Sequence, residues 1–253
     1  MKSLKESIFS DIEDIVSNDT AIIDQFLKDN YDIRGTYTIK DNVVDVKGSV
    51  EVKKDNIKSL TKGLFRFGTV KGNFWCVNCY NLTSLEGVPE EVDGDFWCYG
   101  CENLTSLNGV PKKVGGGFDC HDCENLKSLE GVPKEINGNF WCYGCKKLKS
   151  LEGGPEKVGG NFNCSYCHKL TSLKGAPKEV GGDFWCNSCY GLVSLEGSPK
   201  EVDGNFTCNH CRKLVSLEGG PEKVGMNFYC SECKNLKITD RDRRKYKIID
   251  YVL

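Results

Sequence analysis

Sixteen cysteines form eight Cys-x-x-Cys pairs, and the pairs recur at one fixed interval, beginning at Cys76, Cys98, Cys120 and onward to Cys230. The unit that carries them opens at Gly72, Gly94, Gly116, Gly138, Gly160, Gly182, Gly204 and Met226. A fixed short period does not build one globular core, because a single unit buries too little on its own. It builds a stack in which each unit completes the interior of its neighbours. The middle of this chain therefore reads as a solenoid.

Within the unit, Phe96 and Cys98 alternate with Trp97 and Tyr99. Period-2 alternation marks a short strand with one face inward. Phe occupies the same site in every copy, from Phe74 to Phe228. The second copy gives the inward set: Phe96, Cys98, Cys101, Leu104, Leu107 and Val114. In every copy but the last, which has Met226, the strand is preceded by Gly, and the residue before that site is Asp93, Gly115, Asn137, Gly159, Gly181, Asp203 or Gly225 from the second copy on. These types tolerate positive φ, so a turn is expected there. Such pairs also suit a hairpin, but the regular repeat favours one strand per coil. All seven prolines (89, 111, 133, 155, 177, 199 and 221) share one site in the return segment. Proline excludes a helix interior there.

The segment Leu104-Thr105-Ser106-Leu107, followed by Val110-Pro111, resembles the short bacterial type of leucine-rich repeat. Two one-residue insertions separate the 22-residue unit from that family's shorter one. The second Cys falls at the family's Asn site, as in cysteine-containing leucine-rich repeats. The pattern G-x-F-x-C…L-x-S-L-x-G-x-P also resembles repeat proteins of bacteriophage and bacterial genomes. The resemblance covers 72–238. It implies a mainly β solenoid with a parallel sheet, whose strand surface is the family's usual binding face, and it names no partner.

The flanks read as caps, which a solenoid needs to shield its end coils. Residues 1–34 form an N-terminal helical cap. Ser3 and Glu6 make a capping box, and Leu4, Ile8, Ile12 and Ile15 line one helical face. A second helix is expected over 20–30, with Ile22, Ile23, Phe26 and Leu27 inward. Residues 35–71 hold a hairpin around Asp41-Asn42 and a degenerate first coil marked by Val50, Val52, Ile57 and Leu60. The eight repeats fill 72–238. Residues 239–253 form a C-terminal cap, with Tyr246, Ile249 and Leu253 on one face of a short helix.

The spacing C-x2-C-x18-C-x2-C matches a zinc ribbon. Two Cys sites carried by every copy of the unit produce the same spacing automatically, which weakens the metal reading. Eight deprotonated pairs in an apolar column would also be costly. The cysteines read first as small buried apolar residues, with no metal or other cofactor expected and redox chemistry a third reading.

All four tryptophans share one outward site: Trp75, Trp97, Trp141 and Trp185. Tyr99, His121 and Tyr143 lie in the next outward column. These seven are the candidate binding residues. Clustered aromatic side chains suit an interface, and they equally suit ladder stacking along a sheet. His121 with Asp119 and Asp122 makes a small polar patch.

The net charge is −2, and acidic residues slightly outnumber basic ones within the repeats. That balance argues against a nucleic-acid partner. No apolar run is long enough to span a membrane. The start of the chain lacks a signal-peptide core, so a cytoplasmic location is expected, in the host if the chain is phage-encoded. No nucleophile–base set or phosphate loop stands out, and the segment after Ile238 is too short for a catalytic domain. The chain is expected to be a non-enzymatic protein-binding scaffold. Alternatives are carbohydrate or small-ligand binding on the same row, self-association through it, and a metal-binding or redox solenoid.

Overall fold

The computed structural model describes residues 19–53 and 57–249. The helix expected at Leu4 to Ile15, its capping box, and Leu253 lie outside these residues. Helix α1 covers 19–30. It buries Ile23 and Leu27, while Ile22, expected inward, is exposed. Ile22 and Ile23 are about 100° apart on a helix of 3.6 residues per turn, so the narrow contact face takes only one of them fully.

Strand β1 (Tyr31–Lys40) pairs antiparallel with β2 (Val43–Val52). Asp41 and Asn42, both with φ near +50°, make the two-residue turn between them. Strand β2 then starts the solenoid. Its first half pairs with β3 (Arg66–Val70) and its end pairs with β4 (Phe74–Trp75), both in parallel.

Where one strand per coil was expected, most coils carry two, each of two residues. The first is the Phe strand. It runs from β4 through β6 (Phe96–Trp97), β8 (Phe118–Asp119), β10 (Phe140–Trp141), β12 (Phe162–Asn163), β14 (Phe184–Trp185) and β16 (Phe206–Thr207) to β18 (Phe228–Tyr229). The second precedes the glycine corner: β5 (Glu91–Val92), β7 (Lys113–Val114), β9 (Glu135–Ile136), β11 (Lys157–Val158), β13 (Glu179–Val180), β15 (Glu201–Val202) and β17 (Lys223–Val224). Proline-bearing segments between them turn without helix, and all seven prolines are buried.

The Phe strands form one continuous parallel sheet with every Phe in register. The second face is split. Strands β5 and β7 belong to the first sheet, β9 to β17 form a separate one, and no pairing joins β7 to β9.

Register places each interior side chain against its own copy. Phe rings stack from Phe74 to Phe228, with neighbouring centroids 4.8–5.9 Å apart. Below them, Phe67 meets Phe74 edge-on. Above them, Tyr246 covers Phe228 at 4.6 Å and its hydroxyl donates to the Pro221 carbonyl. The last turn departs from the expected helix. Helix α2 (Asp240–Lys245) buries nothing, while Tyr246 lies beyond it and Ile249 lies in β19 (Ile248–Ile249), which pairs with β18. Thr239 caps α2 through Asp242. The six residues Asp240 to Lys245 are all polar, so this helix has no apolar stripe to bury.

The glycines before the Phe strands do not have positive φ. They are small for another reason. The next residue is Asn or Asp in every repeat but one, and its side chain reaches the following coil. Oδ1 of Asn73 accepts from the Asp95 N–H, Asp95 from Gly117, Asn161 from Asp183, and Asp183 from Asn205. A Cβ on Gly94 would lie 2.1 Å from Asn73 Oδ1, and one on Gly182 2.2 Å from Asn161 Oδ1. Glycine makes room for this polar ladder. Positive φ occurs instead at the glycine after each second leucine, such as Gly109, and at the second x of every Cys-x-x-Cys. There Asn78, Asp122, Tyr166, Ser188, His210 and Glu232 accept a conformation that favours Gly100 and Gly144.

Phe162 is fully buried between Phe140 and Phe184. Truncating such a ring typically costs about 3–5 kcal/mol. Phe162→Ala is therefore expected to lower the urea midpoint strongly, whereas Glu179→Ala on the exposed edge should change stability by less than about 0.5 kcal/mol. Equal midpoints for the two variants would contradict the stacked-ring core.

Candidate functional site

The cysteines lie inside. Fifteen of the sixteen are buried, Cys233 is half-buried, and all are free thiols. The first Cys of each pair directly follows the Phe strand, and its N–H still donates to the next coil, as from Cys76 to the Trp97 carbonyl. The carbonyl of the first Cys is taken up by the second Cys of the next coil. Cys101 Sγ donates to Cys76 O at 3.1 Å, and Cys123 to Cys98 O at 3.2 Å. The same bond recurs from Cys145 to Cys120, Cys167 to Cys142, Cys189 to Cys164, Cys211 to Cys186 and Cys233 to Cys208. Thiols are weak donors, but each of these satisfies a buried backbone acceptor. Burial pushes the Cys142, Cys164 and Cys167 thiols well above the usual thiol range. Among the described residues, no three His, Cys, Asp or Glu side chains converge in a way that could hold a metal ion.

The aromatic row lies on the outer surface of the Phe strands, in coils one to four. Trp75 stacks on Trp97 at 5.3 Å, and Arg34 from β1 sits over Trp75. Trp97 touches Tyr99, and Tyr99, His121 and Tyr143 form a parallel stack with centroids 4.4 and 4.3 Å apart. His121 is fixed in the plane of that stack by Asp119, whose Oδ1 lies 2.7 Å from Nδ1 and also accepts the His121 backbone N–H. Asp122 lies farther off, 3.9 Å from Nε2. Five of the seven candidate residues thus form one chain of ring contacts. Trp141 stands apart, separated from Trp97 by Asp119 in the strand register. Trp185 is also isolated, with Asn163 and Thr207 as its neighbours.

The tryptophans are half-buried, less open than their outward position suggested. Coils are about 4.8 Å apart, closer than the width of an indole, so outward rings shield one another. The Nε1 groups of Trp75 and Trp141 are buried without a hydrogen-bond partner. The most exposed aromatic side chains are others: Tyr80, Tyr166 and Tyr190. Tyr190 stacks on His168 at 4.5 Å and carries Arg212 over its other face. Tyr80 and Tyr190 directly follow the second Cys, a column whose outward direction is set by the turn and carries no period-2 signal. Lys-Glu pairs along the outer edge, such as Lys112 with Glu90 and Lys223 with Glu201, link adjacent coils at exposed positions. Such pairs contribute about 0–1 kcal/mol each.

No helix among the described residues is long and apolar enough to cross a membrane. A scan of family models, a search of curated proteins and a search of solved structures each return no match for this chain.

Because burial raises the folded-state pKa of Cys142, Cys164 and Cys167 above the unfolded value of about 8.5, the folded protein holds protons there that the unfolded chain releases. Their contribution to stability is complete below that pH and declines as pH rises beyond it. Thermal unfolding under reducing conditions should give a midpoint that falls steadily between pH 8 and 10. A flat or rising midpoint over that window would mean that these thiols are not held neutral.

Proposed function

We propose that this chain is a non-enzymatic repeat scaffold that binds another protein through the aromatic face of coils one to four. One observation carries the reading: the unbroken run of ring contacts from Trp75 through Trp97, Tyr99 and His121 to Tyr143. These rings are held in place by the sheet and by one another, so they lose little side-chain entropy when a partner covers them. Partly exposed, pre-positioned Trp and Tyr are the residues that dominate interface energetics. The resemblance to leucine-rich repeats, whose strand surface is the usual binding face, supports the same surface. Under it the chain works in the cytoplasm, that of the host if phage-encoded.

Stacking of sugar rings on the same row is the second use of this chemistry, and pairing of two copies through it is the third. A metal or redox role draws less support, since the second thiol of every pair after the first donates to a backbone carbonyl of the preceding coil.

Affinity capture from the native cell, with Trp97→Ala/Trp141→Ala beside the parent chain, tests the proposal. Capture should disappear in the variant while circular dichroism and melting temperature stay close to those of the parent. Undiminished capture by the folded variant would move the interface elsewhere, and a glycan array would identify the carbohydrate alternative.

A further inference from the structure

Coil three breaks the pattern at several sites, and the breaks coincide in space. Gly117 stands where the other repeats have Asn or Asp, so the polar ladder has no side chain to offer the next coil. Asn161, Asp183 and Asn205 donate their N–H to such a side chain. The Asn139 N–H faces Gly117 instead. Asp119 stands between Trp97 and Trp141, where the first, second, fourth and sixth repeats have Trp. The second sheet is interrupted beside the same corner, after Gly115-Gly116-Gly117. The result is a cleft of about 180 Å³ with Trp97 and Trp141 as walls, Gly117 and Asp119 on its floor, and Asp95 at its edge.

The charged side chains that line this cleft, Asp95 and Asp119, are both carboxylates. Asp119 is buried, its side chain only 4% exposed, and its contacts are the His121 backbone N–H and Nδ1 through a single oxygen, Oδ1. Asp95 uses Oδ1 for the Gly117 N–H. No lysine or arginine lines the cleft. Trp97 and Trp141 also line it, and an indole carries the negative side of its quadrupole on its face. By register the walls are two coils apart, about 9.6 Å. A charged centre midway between the two strands would lie about 4.8 Å from each along the stack, a spacing within the roughly 6 Å reach of a cation–π contact.

We infer that the cleft between Trp97 and Trp141 is a binding site for an organic cation, with Asp119 as its counter-charge. Resting on the interface proposed above, the natural occupant is the side chain of an arginine or lysine from the protein partner. The two tryptophans hold the cationic head between them, and Asp119 accepts its N–H.

The test is a titration followed by the indole N–H resonances, with Trp185 as the internal reference. Methylguanidinium, methylammonium and tetramethylammonium are the cations, and tert-butanol is the neutral match for the last. The cations should shift Trp97 and Trp141 saturably and leave Trp185 in place. The strongest of them identifies whether a guanidinium or an ammonium head is preferred. Asp119→Asn should weaken binding at least about tenfold through loss of the charge-assisted contact. Gly117→Asn should close the cleft, restore the ladder to Asn139 and abolish the shifts in a folded protein, the Asn139 carbonyl giving way by a few tenths of an ångström to the new Cβ. This second variant keeps the test decisive if Asp119→Asn fails to fold. Equal shifts with tert-butanol, equal shifts at Trp185, or undiminished binding by a folded Gly117→Asn protein would overturn the site. If the cations do not bind while partner capture still depends on Trp97 and Trp141, the cleft assignment fails and the interface stands.

Discussion

Register between coils is the constraint on which everything else in this structure depends. Each coil of the repeat region advances the chain by one full unit and one strand spacing, so any residue lies against the same position of the unit before it and of the unit after it. Only side chains that pack well against themselves can fill such a column. Phenylalanine stacks on phenylalanine, leucine meets leucine, and asparagine accepts from the backbone of the next asparagine. A Phe ring in this column gains aromatic contact on both faces in addition to its burial. The same rule explains the two cysteines. One fills the narrow space behind the strand, and the other reaches back one coil to a carbonyl that the short parallel ladder leaves unserved.

Much of this was legible in the sequence, and the parts that were not share a cause. Period-2 alternation placed Phe96 and Cys98 inside, and the copy-to-copy match extended that assignment from Phe74 to Phe228. Local patterns carry that much. The role of Gly94 or Gly182 is not local. Beside Asp and Asn these residues look like turn formers, whereas their small size makes room for a side chain from the preceding coil. The ladder of Asn73, Asp95, Asn161 and Asp183 was hidden in the same way, because a polar residue beside glycine reads as a loop. Its signal was present as an Asn or Asp at one site in seven of eight copies.

The candidate site was legible as a list and not as an arrangement. Alternation correctly put Trp97 and Tyr99 on the outer surface. It could not show that closely spaced coils would half-bury those rings, or that Trp75, Trp97, Tyr99, His121 and Tyr143 would touch in series. Nor could it separate Trp185 from the others, since the spacing is the same and only the neighbours at Asn163 and Thr207 differ. Asp119 read as a weak polar residue near His121. In the structure it is nearly buried, orients His121 in its stack and occupies a place that would otherwise carry a ring.

A surface that repeats every coil has a problem of address. A partner that recognises only the backbone of one step of about 4.8 Å finds an equivalent backbone at the next step and the one after, and can settle in several offset positions. Coil three removes that degeneracy. With glycine in place of the ladder residue, a carboxylate in place of the ring, and the second sheet divided beside them, one position along the stack differs from all others. The missing rung gives an otherwise regular ladder an origin from which every other contact can be counted.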